Sequence, residues 1–235
     1  MVIQPHKSKE AVGNWQLHLC ILLLLLFLTS NVHSSYNPDQ KLFLKINGCR
    51  NIFFNGASRV LSDVVYIPQI LYFYSLGYGY FNEDEHAFEF GTIGAAATFS
   101  TILITQLAKS LIKRERPIFA LKGVKGGYAH GFFAWLIPTE KYSCPSQSAS
   151  FAASEAIILG YSFPRYDRYF FTLMVLNGWA RIYRGAHYPT DVLMGFLVGG
   201  VTTYTSLYFL KKLDPDLDIK KSRARVPIFR IGRSF

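Results

Sequence analysis

Three windows of the chain, 64–82, 90–108 and 192–210, run for 19 residues each without Asp, Glu, Lys or Arg. Charge closes each of them: Asp63 and Glu83, Glu89 and Lys109, Asp191 and Lys211. About 20 apolar residues at 1.5 Å each cross the hydrocarbon layer of a bilayer. Buried helices of water-soluble domains are usually shorter and keep a polar stripe. The pattern therefore predicts three spanning helices. Two shorter segments are expected to span as well: 146–163, which ends before Pro164, and 169–183, apolar until Arg181. In the first of these, Ala149, Ala152 and Ala153 offer small surfaces on which helices approach closely in lipid. Glu155 lies in the same segment, either as a functional carboxylate or as a hydrogen-bonded group between helices.

The N-terminus follows a different pattern. Lys7 and Lys9 precede an almost pure leucine run, 17–28, and then polar residues 29–35. A cleaved signal peptide and an uncleaved first helix share that pattern; the anchor is the favoured expectation. The expected fold class is an all-α, polytopic membrane bundle of about six transmembrane helices. Its parts are a hydrophobic segment (1–35), an outer amphipathic connector (36–62), a membrane domain (63–210) and a basic tail (211–235). With the N-terminus inside, segments 109–144 and 184–190 fall together on the outer side. The dense tail leans the orientation toward a cytoplasmic C-terminus.

Composition sharpens this picture in one respect. The chain has 25 Lys and Arg against 15 Asp and Glu, a net +10, with 17% charged residues, fewer than the roughly 25% of soluble domains. Such an excess alone suits nucleic acid, but no nucleic-acid motif accompanies it. It is clumped instead: the tail from Lys211 onward holds eight basic and three acidic residues, and the run 109–116 adds four basic and one acidic. Both clumps flank apolar windows, so the expected partner is the bilayer. Three cysteines exclude a disulfide-stapled miniprotein. Cys49 and Cys144 both fall on the outer side, where pairing is open to them.

Three polar clusters lie on that outer side. The first runs from Lys109 to Arg116-Pro117. Seven residues are two helical turns, so Lys109 and Arg116 are expected on one helix face. Two such cations suit an oxyanion, the Arg fork especially; a basic cluster at anionic lipid headgroups is the plainer alternative. The second is Cys144-Pro145-Ser146-Gln147-Ser148, opening a helix whose unpaired N–H groups favour an anion, or simply a capped helix. The third is Arg181-Ile-Tyr-Arg-Gly-Ala-His187-Tyr-Pro-Thr-Asp191. A carboxylate beside an imidazole fixes its tautomer and leaves the other nitrogen free to attack.

Together the clusters resemble the signature of the type 2 phosphatidic acid phosphatase and vanadium haloperoxidase superfamily: Lys-x6-Arg-Pro, Pro-Ser-Gly-His, then Ser-Arg-x5-His-x3-Asp. The likeness covers residues 64–210 and implies a membrane helical bundle with a phosphate site. By that likeness Lys109, Arg116 and Arg181 clamp the phosphoryl oxygens, with Ser146 and the Gln147 backbone N–H helping. His187 is the nucleophile that forms a phosphohistidine, oriented by Asp191. No metal or other cofactor is implied, because fixed cations take up the developing charge.

Two positions depart from the signature. Ser148 stands where the family has the His that protonates the leaving alkoxide, a loss of about 10²–10⁴ in rate for a general acid. Ala180 stands in place of the usual Ser. His130, Tyr142 and Tyr183 lie in regions from which a substitute proton donor could come. The resemblance implies a lipid phosphate phosphatase acting on a monoester or diphosphate headgroup. A phosphotransferase, or a phospholipid-binding relative without catalysis, are the alternatives.

Overall fold

The computed structural model describes residues 37–126 and 141–215. Eight α-helices account for most of them: α1 Pro38–Gly48, α2 Ile52–Asp63, α3 Ile67–Phe81, α4 Glu85–Ile112, α5 Pro117–Ala120, α6 Gln147–Ser162, α7 Asp167–Tyr183 and α8 Pro189–Leu213. The described residues contain no strand beyond one isolated bridge between Glu115 and Tyr142. Local chemistry sets the helix starts. Asn51 Oδ1 accepts from the Phe54 N–H at 2.7 Å to open α2. Asp84 Oδ1 accepts from the Ala87 N–H at 3.1 Å to open α4, and Ser146 caps α6 through the Ala149 N–H at 3.4 Å. Each cap gives a partner to a first-turn donor that otherwise has none.

Helix α6 is the centre, packed against α8, α7 and α4, while α3 lies along α4 and the α1–α2 pair covers α7. The α6–α8 crossing is tight: a Cβ placed on Gly199 would stand 1.9 Å from the Ser150 carbonyl oxygen. Along the C-terminal half of α4 the inner face is polar and the outer face apolar. On α4, Thr98, Thr101, Thr105 and Lys109 are buried, whereas Phe99, Leu103, Leu107 and Leu111 are exposed. Hydroxyls join the inner faces, Thr101 to Thr202 at 2.7 Å and Thr203 to Ser154 at 2.7 Å. In water that distribution is backwards, since apolar burial drives folding there. In lipid it is the arrangement in which packing and interhelical hydrogen bonds hold helices together.

Two described helices, α4 and α8, are long and apolar enough to cross a membrane. They contain the windows 90–108 and 192–210. Window 64–82 does not form one long helix. It divides into a 3₁₀ turn, Val64–Tyr66, and α3 of 15 residues, with Pro68 in the first turn of α3. That gives α3 a length of about 22 Å. Helices α6 and α7 have 16 and 17 residues, so the expected count of six spans is not reached by helix length. The N-terminal segment and the tail beyond residue 215 lie outside the described residues. Within the expected connector, α1 and α2 form, and α1 rests on α7 and α8. Glu155 tethers α6 to α3, accepting from Gln69 Nε2 at 2.9 Å and from the Tyr72 hydroxyl at 2.5 Å. Cys49 is exposed and Cys144 buried, and both are free thiols rather than a pair.

Candidate active site

The site forms where the end of α4, the start of α6 and the α7–α8 turn meet. Lys109 lies in the last turn of α4, buried, with Nζ donating to the Tyr142 carbonyl at 2.7 Å. Arg116 does not share its helix face, contrary to the seven-residue spacing argument. Helix α4 stops at Ile112 because Lys113 turns left-handed at φ 50°. Arg116 is extended, at φ −69° and ψ 148°, ahead of the short α5. The loop, not the helix, therefore brings Arg116 in, and Lys109 and Arg116 are each only 3% exposed.

His187 sits in the α7–α8 turn, 1% exposed. Its Nδ1 is 2.7 Å from the Ser143 carbonyl oxygen, and its Nε2 is 3.0 Å from Arg116 Nη1. A guanidinium only donates and a carbonyl only accepts. The two contacts thus assign the tautomer: Nδ1 carries the proton and Nε2 presents its lone pair. Burial first, then the charges of Arg116, Lys109 and Arg181, hold His187 well below the ordinary histidine value. A neutral ring with a free lone pair is the form a nucleophile needs.

Asp191 stands 3.9 Å from His187 Nδ1, beyond a direct hydrogen bond. The Ser143 carbonyl holds the nearer position. Asp191 instead takes the Tyr188 N–H on Oδ2 at 2.8 Å and Arg114 Nη1 on Oδ1 at 2.8 Å. Its backbone carbonyl accepts from the Ser146 N–H at 2.9 Å, tying α8 to the start of α6.

Three polar atoms in this region are buried without a partner among the described residues: Gln147 Nε2, Ser148 Oγ and Arg181 Nε. Gln147 Oε1 is taken by Gln106 Nε2 at 2.9 Å. Buried polar atoms rarely remain unpaired, and an amide, a hydroxyl and a guanidinium N–H all donate. Ala180 is fully buried. Of the substitute proton donors considered, Tyr183 is committed elsewhere, its hydroxyl donating to Asn55 Oδ1 at 2.9 Å. Tyr142 meets the site through its carbonyl on Lys109, and His130 lies outside the described residues. No group of three or more metal-ligating side chains occurs among the described residues.

Four contributors escaped the sequence reading. The Ser143 contribution is a backbone carbonyl, to which no residue type corresponds. Arg114 was visible only as one charge in a basic run. Asp39 and Thr190 acquire their roles only when α1 folds onto the α8 start.

The PAP2 superfamily profile matches residues 90–215, more than half of the chain. The chain belongs to the PAP2 superfamily. All three polar clusters of this PAP2 protein lie inside the matched region. No relative matches among curated proteins. Two solved structures share its fold. LpxE of Aquifex aeolicus is similar at 23% identity and a TM-score of 0.53, over 75% of this chain and 99% of that one. A transmembrane PAP2 type phosphatidylglycerolphosphate phosphatase from Bacillus subtilis is similar at 20% identity and a TM-score of 0.58, over 84% and 98%. At these identities the likeness establishes the PAP2 fold and nothing finer.

Proposed function

We propose that this protein is an integral-membrane phosphatase that removes phosphate from a lipid headgroup through a phosphohistidine on His187. The observation that carries the reading is the meeting of a neutral, tautomer-fixed imidazole with buried Lys109 and Arg116. A phosphoryl group entering there finds cations already desolvated, which act more strongly than they would in water. His187 Nε2 attacks phosphorus and the bond to the leaving oxygen breaks. The imidazolium so formed is supported at Nδ1–H by the Ser143 carbonyl and, from 3.9 Å, by Asp191. Water then displaces the phosphoryl group from Nε2. Arg116 passes its hydrogen bond from Nε2 to a phosphoryl oxygen in the first step, while Arg181 and the Gln147 and Ser148 donors meet the remaining oxygens.

The apolar outer faces of α4 and α8 support a bilayer setting; we propose six spans there, with the site on the outer face and the basic tail on the cytoplasmic side. The structural relative from Bacillus subtilis is a phosphatidylglycerolphosphate phosphatase, which agrees with a lipid phosphate substrate. Ser148 favours one refinement. It has no pKa suited to protonating an alkoxide, whereas phosphate, with a second pKa of about 6, leaves without such help. A diphosphate-type headgroup is therefore the expected preference. The same residue is the feature that favours a phospholipid-binding relative without turnover.

The test is phosphate release by purified protein across lipid monophosphates and diphosphates, with His187→Ala as blank. Release that disappears in the variant, and is faster from a diphosphate, is expected. Release unaffected by His187→Ala removes the nucleophile, and none from any substrate in the wild type favours the non-catalytic reading.

A further inference from the structure

Behind the imidazole lies a second layer of charge. Arg114 Nη2 donates to Asp39 Oδ2 at 2.6 Å, and Nη1 donates to Asp191 Oδ1 at 2.8 Å and to Thr190 Oγ1 at 2.7 Å. Its guanidinium lies 4.0 Å over the Tyr188 ring. Asp39, on α1 and nearly buried, also takes the Thr190 N–H on Oδ1 at 3.0 Å and the Thr190 hydroxyl on Oδ2 at 2.6 Å. One arginine thus joins three segments that are far apart in sequence: α1, the loop after α4, and the first turn of α8. Charge-assisted contacts of this kind are short and strong, and the rigid guanidinium fork makes them geometrically strict.

We propose that Arg114 and Asp39 are positioning residues, locking the α7–α8 turn in place and holding the Asp191 carboxylate behind the His187 ring. The proposal rests on His187 being that nucleophile. The charged or titratable groups around the ring are Lys109 from α4, Arg116 from the following loop, Arg181 from α7, Asp191 from α8 and the Cys144 thiol before α6. Arg114 and Asp39 stand behind Asp191. Three cations disfavour a proton on the ring and the Ser143 carbonyl favours it; Asp191, 3.9 Å away, is the near anion. With Arg114 present, its charge is met by a guanidinium. With Arg114 removed, an uncompensated carboxylate lies 3.9 Å from Nδ1, which favours the charged ring.

The experiment compares Arg114→Gln, Arg114→Lys and Asp39→Asn with the wild type in detergent micelles. Steady-state phosphate release is measured against pH on the best lipid phosphate found. For Arg114→Gln, kcat should fall roughly 10- to 100-fold, the cost of displacing a reacting group by about an ångström. KM should stay within about threefold, and the acid limb of kcat should move to higher pH, because more of the ring is protonated at a given pH. Arg114→Lys should keep the limb in place and recover part of kcat. Asp39→Asn should lower kcat without moving the limb, since Arg114 still faces Asp191. An Arg114→Gln enzyme with wild-type kcat, or one with lower kcat and an unmoved limb, overturns the proposal. A second readout does not need turnover: the ring titration of His187, followed by NMR of ¹³C-histidine-labelled protein and assigned with His187→Gln. A higher midpoint in Arg114→Gln supports the positioning role even if the wild type hydrolyses nothing, and an unchanged midpoint refutes it.

Discussion

His187 Nε2 and Arg116 Nη1 stand 3.0 Å apart, the lone pair of one accepting from the other. The candidate nucleophile and the candidate phosphate ligand are thus paired with each other. The Arg116 Nη1 also donates to the Ala186 carbonyl at 3.1 Å, so the guanidinium is anchored to the same turn that carries the imidazole. Such an arrangement is preorganised. In the proposed reaction the phosphoryl oxygens replace a ring nitrogen as the acceptor, and neither side chain has far to travel. Little reorganisation is then needed at the moment of reaction, which is where electrostatic catalysis gains its advantage.

Replacing Arg116 tests that arrangement directly. Arg116→Lys keeps the charge and loses the planar fork, so it cannot hold both the turn carbonyl and the phosphoryl oxygen. The value of kcat/KM should fall by about 10²–10³, the usual cost of one transition-state donor. Steady-state phosphate release checks the rate, and a melting curve in the same micelles checks that the fold is retained.

Acidity should affect stability through His187. Its folded value lies well below the ordinary 6.5 because the ring is buried among cations. As pH falls past about 6.5, the unfolded chain takes up a proton that the folded chain refuses. Stability is therefore lost on acidification, starting near 6.5 and continuing down to the depressed folded value. Melting temperatures of the wild type and of His187→Gln, taken between pH 7.5 and 5.5, should diverge. The wild type should lose more. Parallel curves would mean that the ring titrates normally.

The long windows 90–108 and 192–210 were legible because hydrophobicity needs no partner to be read, and both became long helices. The three site clusters were legible as residue types at fixed spacing. Geometry between elements was not. Lys113 adopting a left-handed conformation ends α4 early and carries Arg116 off the helix, and no residue type demanded this of a lysine. The hydrogen-bond partner of His187 Nδ1 is a carbonyl, invisible to any reading of side chains. Asp39 lies about 150 residues from Thr190 in the chain, so their hydrogen bonds appear only when α1 docks. Window 64–82 misled because uniform apolarity does not register the 3₁₀ turn and Pro68 that divide it.

The α6–α8 crossing should be intolerant of a single methyl group. At Gly199 the added Cβ would stand 1.9 Å from the Ser150 carbonyl oxygen and 2.7 Å from its carbon. Backbone cannot step aside as a flexible side-chain tip can, so Gly199→Ala should destabilise by about 1–3 kcal/mol, the range typical of overpacking. Gly200→Ala is the control, since its nearest neighbour is the Ile157 Cδ1 at 3.9 Å. Unfolding of the two variants in micelles should differ clearly.

Ser148 offers the most informative substitution. Its hydroxyl is fully buried and has no partner among the described residues. An unsatisfied buried group costs about 1–3 kcal/mol, so Ser148→Ala should melt higher than the wild type. If the hydroxyl serves the bound phosphoryl group, the same variant should bind inorganic phosphate more weakly, gaining stability while losing function. Ser148→His asks the complementary question. A general acid is worth about 10²–10⁴-fold where an alkoxide must leave, and little where phosphate leaves. Release from a lipid monophosphate should therefore rise at least tenfold toward that range, while release from a lipid diphosphate changes little. Equal effects on both substrates would show that protonation of the leaving group is not what limits this site.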